Sequence, residues 1–175
     1  MISMHAVTAK NANQLFPEQM ELNFNQIFRS LKAMGCDYFY FLGMDGDTRY
    51  RFCTHEDWMD LYYDEKFIFN DPLKRIAESA TFVALPWEQV THLHGKEKHA
   101  MCDRTSFGLF NGLTIAREHL KRKYIFALAT ESKEHDLARY LLLEKTIELE
   151  KLVQECMKLF DQYLLLMLKP VLNIM

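Results

Sequence analysis

Apolar residues near the start of the chain recur at the three- and four-residue spacing of an amphipathic helix. This pattern runs from Phe16 to Met34, and Gly35 follows at a position suited to ending a helix. Near the other end, no glycine or proline interrupts Glu134 to Lys169, where apolar residues recur at the same spacing. The pattern predicts one long helix in each region, and the second has more apolar positions than one sheet face covers.

Between these two helices the chain contains dense aromatic segments bounded by turn residues. Asp45 and Gly46 form a strong two-residue hairpin signal between two such segments. The predicted strands are residues 37–43, 48–54, 81–85, 113–116 and 123–130. Shorter helices are expected from His55 to Tyr63, after the Asp71-Pro72 cap, and at about Lys96 to Phe107.

This order of elements predicts an α/β (α+β) fold with five strands. The chain has 175 residues, of which 49% are hydrophobic, and that is enough for one sizeable core. No stretch has the composition of a flexible linker, and no segment repeats. We therefore expect residues 1–175 to form a single domain.

Composition also narrows the classes of partner. The formal net charge is -3 and the pI is about 6.2, so the chain lacks the basic field that drives binding to phosphate backbones. No apolar run of about eighteen residues and no secretory leader pattern is present, so we expect a cytoplasmic protein without membrane contact. The scattered cysteines, which never form a C-x-x-C pair, fit reduced thiols.

Candidate binding chemistry lies in the middle of the chain. Trp58 and Tyr62 are four residues apart on a predicted helix, which places an indole N–H and a phenol O–H on one face. Asp71 follows as an acceptor, and Trp87 offers a flat apolar wall. Such a set can hold a carbonyl and an amide N–H. On spacing alone, however, core packing and a helix cap are the favoured explanation of these residues.

A longer pattern favours the binding interpretation. Trp58-x-x-x-Tyr62, then Asp71-Pro72, then Trp87, then the segment from Phe107-Gly108 to Gly112-Leu113-Thr114 resembles the autoinducer-binding domain of LuxR-type quorum-sensing regulators. The resemblance runs from about residue 10 to residue 168. It implies an α-β-α sandwich with a five-stranded antiparallel sheet flanked by helices, which agrees with the order of elements predicted above.

The resemblance also implies roles for individual residues toward an acyl-homoserine lactone, which would be a ligand and not a cofactor. Trp58 would donate to the lactone carbonyl, Tyr62 would bond the amide carbonyl, and Asp71 would accept the amide N–H. Trp87 would pack on the lactone ring. Two further groups are implied: Leu73 and Thr114 at the head-group end, and Phe39, Phe41, Phe52 and Leu128 as walls of the acyl chain. Gly112 would be structural.

Several positions depart from the family pattern. Thr54 stands where a tyrosine often closes the acyl pocket, and Ala127 and Ala129 stand where a serine or threonine commonly assists. Arg104 lies on a helix that faces the pocket in the family. Since a cation beside a neutral acyl chain is unfavourable, we expect Arg104 to point to solvent. The chain also ends where the family continues into a helix-turn-helix module, so no DNA-binding domain is expected.

Other functions are weaker on the sequence. His92, His94, His99 and Cys102 have the donor types of a zinc site, but their spacing fits a solvated loop and helix start better, and we expect no metal. No nucleophile with its base, phosphate loop or dinucleotide motif occurs, so we expect no enzyme.

Two binding functions remain open. The chain is either a sensor of acyl-homoserine lactones or similar small molecules, or an interaction protein that pairs with a full-length LuxR-type regulator or another partner and no longer uses its pocket. In both cases the long final helix predicts a homodimer.

Overall fold

The computed structural model describes residues 13–172, and the side chains of residues 14–167 within them. The ends of the predicted single domain, residues 1–12 and 173–175, and the first residues of the family resemblance lie outside this described part. The strands are β1 (Asn13–Leu15), β2 (Tyr38–Asp45), β3 (Thr48–Cys53), β4 (Phe82–Pro86), β5 (Phe110–His119) and β6 (Arg122–Thr130).

These strands form one sheet in the order β1-β3-β2-β6-β5-β4. The five longer strands pair antiparallel, as the sequence predicts. The prediction of a purely antiparallel five-stranded sheet is nevertheless wrong, because β1 adds a sixth strand that runs parallel to β3. This strand has only three residues, Asn-Gln-Leu, and is too short to show an alternating pattern.

The helices are α1 (Glu18–Ala33), α2 (Glu56–Asp64), α3 (Pro72–Ser79), α4 (Gly95–Phe107), α5 (Leu137–Glu144) and α6 (Thr146–Leu172), with 3-10 turns at Phe67–Phe69 and Trp87–Gln89. The prediction of one continuous helix from Glu134 to Lys169 is wrong. Lys145 leaves the helical conformation with φ of -124°, which separates α5 from α6. Both helices bury apolar residues in the same core, and a bend lets each one reach it.

Alternation along β2 assigns its side chains to two faces of the sheet. Phe39 and Phe41 point into a core formed with α1, α5 and α6, and we call this side the packed face. Tyr38 and Tyr40 point the opposite way, toward α2, α4 and the two 3-10 turns. Because a cavity lies on that second side, with α3 also contributing to its walls, we call it the cavity face.

Within residues 13–172, no helix is both long enough and apolar enough to cross a membrane.

Candidate functional site

A cavity of about 80 Å³ lies between the cavity face of the sheet and helices α2, α3 and α4. Six of the ten residues predicted as ligand-binding line it: Trp58, Tyr62, Asp71, Leu73, Trp87 and Thr114. They come from four separate segments of the chain, and the fold brings them together around one cavity. Arg104 also lines the cavity, although the sequence predicted an exposed side chain.

Helix α2 supplies Trp58 and Tyr62. One turn separates them, so both side chains point inward, and their exposed fractions are only 2% and 7%. Their ring centroids lie 6.0 Å apart. The hydroxyl of Tyr62 donates to Oδ2 of Asp71 at 2.9 Å, while no described residue accepts a hydrogen bond from the Trp58 indole. Trp58 therefore keeps a free donor in the site.

Asp71 is held by the start of helix α3. It occupies the N-cap, where its Oδ1 accepts the backbone N–H of Leu73 at 3.0 Å, and Pro72 follows at the first helical position. This cap fixes the carboxylate within the buried wall of the cavity. Asp71 therefore caps helix α3 and lines the cavity at the same time, so the two interpretations of this residue from the sequence are compatible.

Arg104 reaches the site from helix α4 and pairs with Asp71. Its Nη1 donates to Oδ1 at 3.1 Å, and its Nη2 donates to Oδ2 at 2.5 Å. This is the parallel, two-bond geometry that makes arginine–carboxylate pairs strong. Both side chains are buried, so the expectation of an exposed Arg104 is wrong. The physical reason is that Asp71 supplies the partner that a buried cation requires.

Three aromatic rings surround the guanidinium. Its central carbon lies 5.6 Å from the ring centre of Trp58, 5.7 Å from that of Tyr62 and 5.5 Å from that of Trp87. Cations within about 6 Å of such rings are attracted by the electron-rich faces, more strongly where water is excluded. The predicted head-group residues therefore hold a side chain of the protein itself.

Burial and charge fix the protonation of this cluster. Burial would lower the pKa of Arg104, but the Asp71 carboxylate and its hydrogen bonds outweigh that effect and raise it. Burial, followed by the nearby Asp71 carboxylate, raises the pKa of Tyr62 well above its ordinary value. Arg104 is therefore a permanent cation and Tyr62 a neutral donor.

The opposite wall of the cavity is set by Trp87. Its Nε1 donates to the hydroxyl of Thr114 at 2.9 Å, a bond that ties the 3-10 turn after β4 to strand β5. Gly112 lies directly against the indole, and a β-carbon at that position would overlap the ring. The predicted structural role of Gly112 is therefore to make room for the indole of Trp87.

The four remaining predicted residues do not reach the cavity. Phe39, Phe41, Phe52 and Leu128 all belong to the core on the packed face. Their assignment as walls of this site is wrong, because side chains alternate between faces along a strand and these four point away from it. Tyr38, Tyr40 and Ala127 line the cavity instead. The Tyr-Phe-Tyr-Phe sequence of β2 contained the signal for this choice.

Of the residues of the rival zinc site, His92 and His94 precede helix α4, and His99 and Cys102 lie on it. In the described part of the chain, no three histidine, cysteine, aspartate or glutamate side chains come together as a metal site. His99 instead lies 3.3 Å from Asp103 on helix α4, and Cys102 is exposed as a free thiol.

Known proteins show the same fold. Residues 21–150 match the family model described as the autoinducer-binding domain. The N-acylhomoserine lactone-dependent LuxR-family transcription factor CepR2 from Burkholderia cenocepacia is similar at 15% identity, with a TM-score of 0.60, over 83% of this chain and 84% of that chain. SdiA from Escherichia coli is similar at 14% identity, with a TM-score of 0.64, over 83% of this chain and 62% of that chain.

A structure of SdiA in complex with octanoyl-rac-glycerol is similar at 16% identity, with a TM-score of 0.62, over 84% of this chain and 61% of that one. The chain thus spans less than two thirds of the SdiA chains. A search of curated proteins finds no match. The family model covers most of the sequence and includes every residue that lines the cavity, and the chain therefore belongs to the autoinducer-binding domain family.

Proposed function

We propose that this domain is a sensor that binds a small signal molecule in the cavity between α2, α3, α4 and the sheet. The observation that carries the proposal is the convergence of Trp58, Tyr62, Asp71 and Trp87 on one buried space. Members of this family bind small signals and are not enzymes. The mixture of aromatic walls with a few fixed polar groups is typical of small-molecule sites.

The size of the cavity sets a condition on binding. At about 80 Å³, it is smaller than the roughly 300–1,000 Å³ of typical ligand pockets. A signal molecule with an acyl chain therefore binds only if side chains move apart. The buried Asp71–Arg104 pair is held by two charge-assisted hydrogen bonds, so we expect the apolar side chains of the wall to move most on binding.

Acyl-homoserine lactones are the first compounds to test. CepR2 is described as dependent on an N-acylhomoserine lactone, whereas SdiA is known in complex with an acylglycerol. In this chain the free indole N–H of Trp58 supports binding of a carbonyl oxygen. The same argument covers both compound classes, because both carry carbonyl groups.

A thermal melt with a panel of acyl-homoserine lactones and acylglycerols tests the proposal. A ligand that binds only the folded state adds about 2.7 kcal/mol at a hundred times its dissociation constant, which gives a clear rise in Tm. Trp58→Phe should reduce the rise, because it removes the free donor and keeps most of the ring packing.

The matched control is Phe69→Leu, since Phe69 is 58% exposed and does not line the cavity. It should leave the rise in Tm unchanged. The sensor function is rejected if no compound in the panel raises the Tm of the wild-type domain.

A second candidate function is pairing with another copy or with a full-length regulator of the same family. It is favoured by large apolar side chains on the outer surface of α5 and α6: Leu143, Ile147, Leu165 and Leu166 are 69%, 83%, 60% and 59% exposed. Such a surface loses unfavourable contact with water when another protein covers it. A sensor function and a pairing function are compatible, because this surface and the cavity lie on opposite sides of the sheet.

The compartment proposed for both functions is the cytoplasm. Cys36, Cys53, Cys102 and Cys156 are all free thiols, the state that a reducing compartment maintains.

A further inference from the structure

We infer that Arg104 sets the ligand class of this cavity, which takes a neutral molecule whose head group accepts hydrogen bonds and carries no amide N–H. This inference rests on the proposed sensor function and narrows it. Arg104 departs from the family pattern. Its pairing with Asp71 takes up the carboxylate that the resemblance implies as the acceptor of a ligand amide N–H.

The acceptor positions of Asp71 are all occupied within the protein. A carboxylate offers about four lone-pair positions, two on each oxygen. Oδ1 already accepts from the Leu73 backbone and from Nη1 of Arg104, while Oδ2 accepts from the Tyr62 hydroxyl and from Nη2 of Arg104. Asp71 therefore has no position left for an amide N–H of a ligand.

Hydrogen-bond donors, in contrast, remain around the Asp71–Arg104 pair. Nη1 of Arg104 donates to Asp71 and, at 3.5 Å, to the sulfur of Met101, while Nη2 makes one bond, to Asp71. Within the described residues, the Nε–H of Arg104 and the second N–H of its Nη2 have no acceptor. The indole N–H of Trp58 is free in the same sense. Beside Asp71, the protein thus offers donors to a ligand, while the carboxylate itself offers no further acceptor position.

The charges of the site are balanced without a ligand. The positive charge of Arg104 and the negative charge of Asp71 already cancel in a buried pair. An anionic head group would bring an uncompensated negative charge into this space, and burying an unpaired charge is costly. A neutral ester, ketone or lactone oxygen satisfies the free donors without that cost.

A ligand amide N–H placed beside the Asp71 carboxylate meets one of two unfavourable situations. It either remains without an acceptor beside the filled carboxylate, or it displaces Arg104 and leaves a buried cation unpaired. An amide N–H left without an acceptor weakens binding by roughly ten- to a hundredfold, because a buried unsatisfied donor has lost its hydrogen bond to water.

A matched pair of compounds tests this directly: N-octanoyl-homoserine lactone, and the octanoyl ester of α-hydroxy-γ-butyrolactone. They differ only in an amide N–H replaced by an ester oxygen. Titration calorimetry on the wild-type domain should show the ester binding at least about tenfold more tightly. Equal binding, or tighter binding of the amide, overturns the inference while leaving the sensor function intact.

Arg104→Met sharpens the test, because it frees two acceptor positions on Asp71. In this variant the preference should reverse in favour of the amide. Arg75→Met is the control: Arg75 is an exposed arginine that also pairs with a carboxylate, Glu97, and its loss should keep the ester preference. An Arg104→Met variant with the wild-type preference overturns the inference.

If Arg104→Met does not fold, the double variant Asp71→Asn with Arg104→Met replaces it, since it leaves no buried charge in the pair. The amide side chain of asparagine both donates and accepts, so the preference should fall to less than about threefold. Persistence of a tenfold ester preference would show that Arg104 is not its source. If neither compound nor any member of the wider panel binds the wild type, the sensor function itself fails, and this inference fails with it.

Discussion

The two faces of the sheet are built from the same strands but differ in what they bury. On the packed face, rings contact one another directly, as in the pairs Phe24 with Phe41 at 5.0 Å and Phe41 with Phe126 at 5.2 Å. On the cavity face, the rings of Trp58 and Trp87 surround an ion pair between Asp71 and Arg104. The first arrangement gains stability from dense apolar contact. The second arrangement leaves hydrogen-bond donors available to a ligand but has less of this apolar contact.

One glycine on each face shows how closely the strands approach their aromatic neighbours. A β-carbon at Gly43 would overlap the ring of Phe160 on the packed face, and one at Gly112 would overlap the indole of Trp87 on the cavity face. The contacts are similar but their consequences differ. Phe160 is fully buried in the core of the packed face, whereas displacement of Trp87 would change the shape of the cavity.

The largest effect is expected from the packed face. Phe41→Ala should lower the free energy of unfolding by about 3–5 kcal/mol, because it deletes a fully buried ring and leaves a void. Urea denaturation measures this loss, with Phe69→Ala as the control at an exposed aromatic position. Affinity for a cavity ligand, measured on the folded fraction, should not change. A change in affinity would show that the two faces do not act separately.

The alternation that separates the faces also explains which parts of the site were predictable. Trp58, Tyr62 and Asp71 lie close together in the sequence, so helical spacing and a cap place them on one wall. Phe39 and Phe41 were assigned to the wrong side. Strand β2 is buried on both faces, so burial does not fix its orientation, and the alternation of tyrosine with phenylalanine was the signal that could have done so.

Two further errors have a tertiary origin. The partner of Arg104 lies 33 residues away, so no local pattern could show that this cation is buried and paired. The break at Lys145 follows no helix-breaking residue; packing of α5 and α6 into the same core determines it. Local spacing therefore predicted most helices and strands, while long-range contacts determine which side chains enter the site.

A smaller effect is expected from the wall of the cavity. Thr114→Val keeps the size of the side chain but removes the acceptor of the Trp87 indole, leaving a buried N–H without a partner. We expect a loss of about 1–2 kcal/mol in unfolding free energy. Thr114→Ser, which retains the hydroxyl, should lose less. Tryptophan fluorescence during urea denaturation follows both variants, and a neutral Thr114→Val would mean that the indole finds another acceptor.

The smallest effect on stability, and the sharpest on assembly, is expected at Ile147 on the outer surface of α6. This side chain is 83% exposed, so Ile147→Lys should change the unfolding free energy of the isolated chain by less than about 0.5 kcal/mol. If α6 pairs two copies, a lysine at this position places a charge in an apolar interface, and light scattering at micromolar concentration should show the mass falling from dimer to monomer.

The control is Leu120→Lys. Leu120 is an equally large apolar residue that is 78% exposed at the tip of the β5–β6 hairpin, and its substitution should leave the mass unchanged. A wild-type domain that is monomeric at these concentrations rules out the homodimer. The exposed surface of α6 would then be available only to a different partner chain.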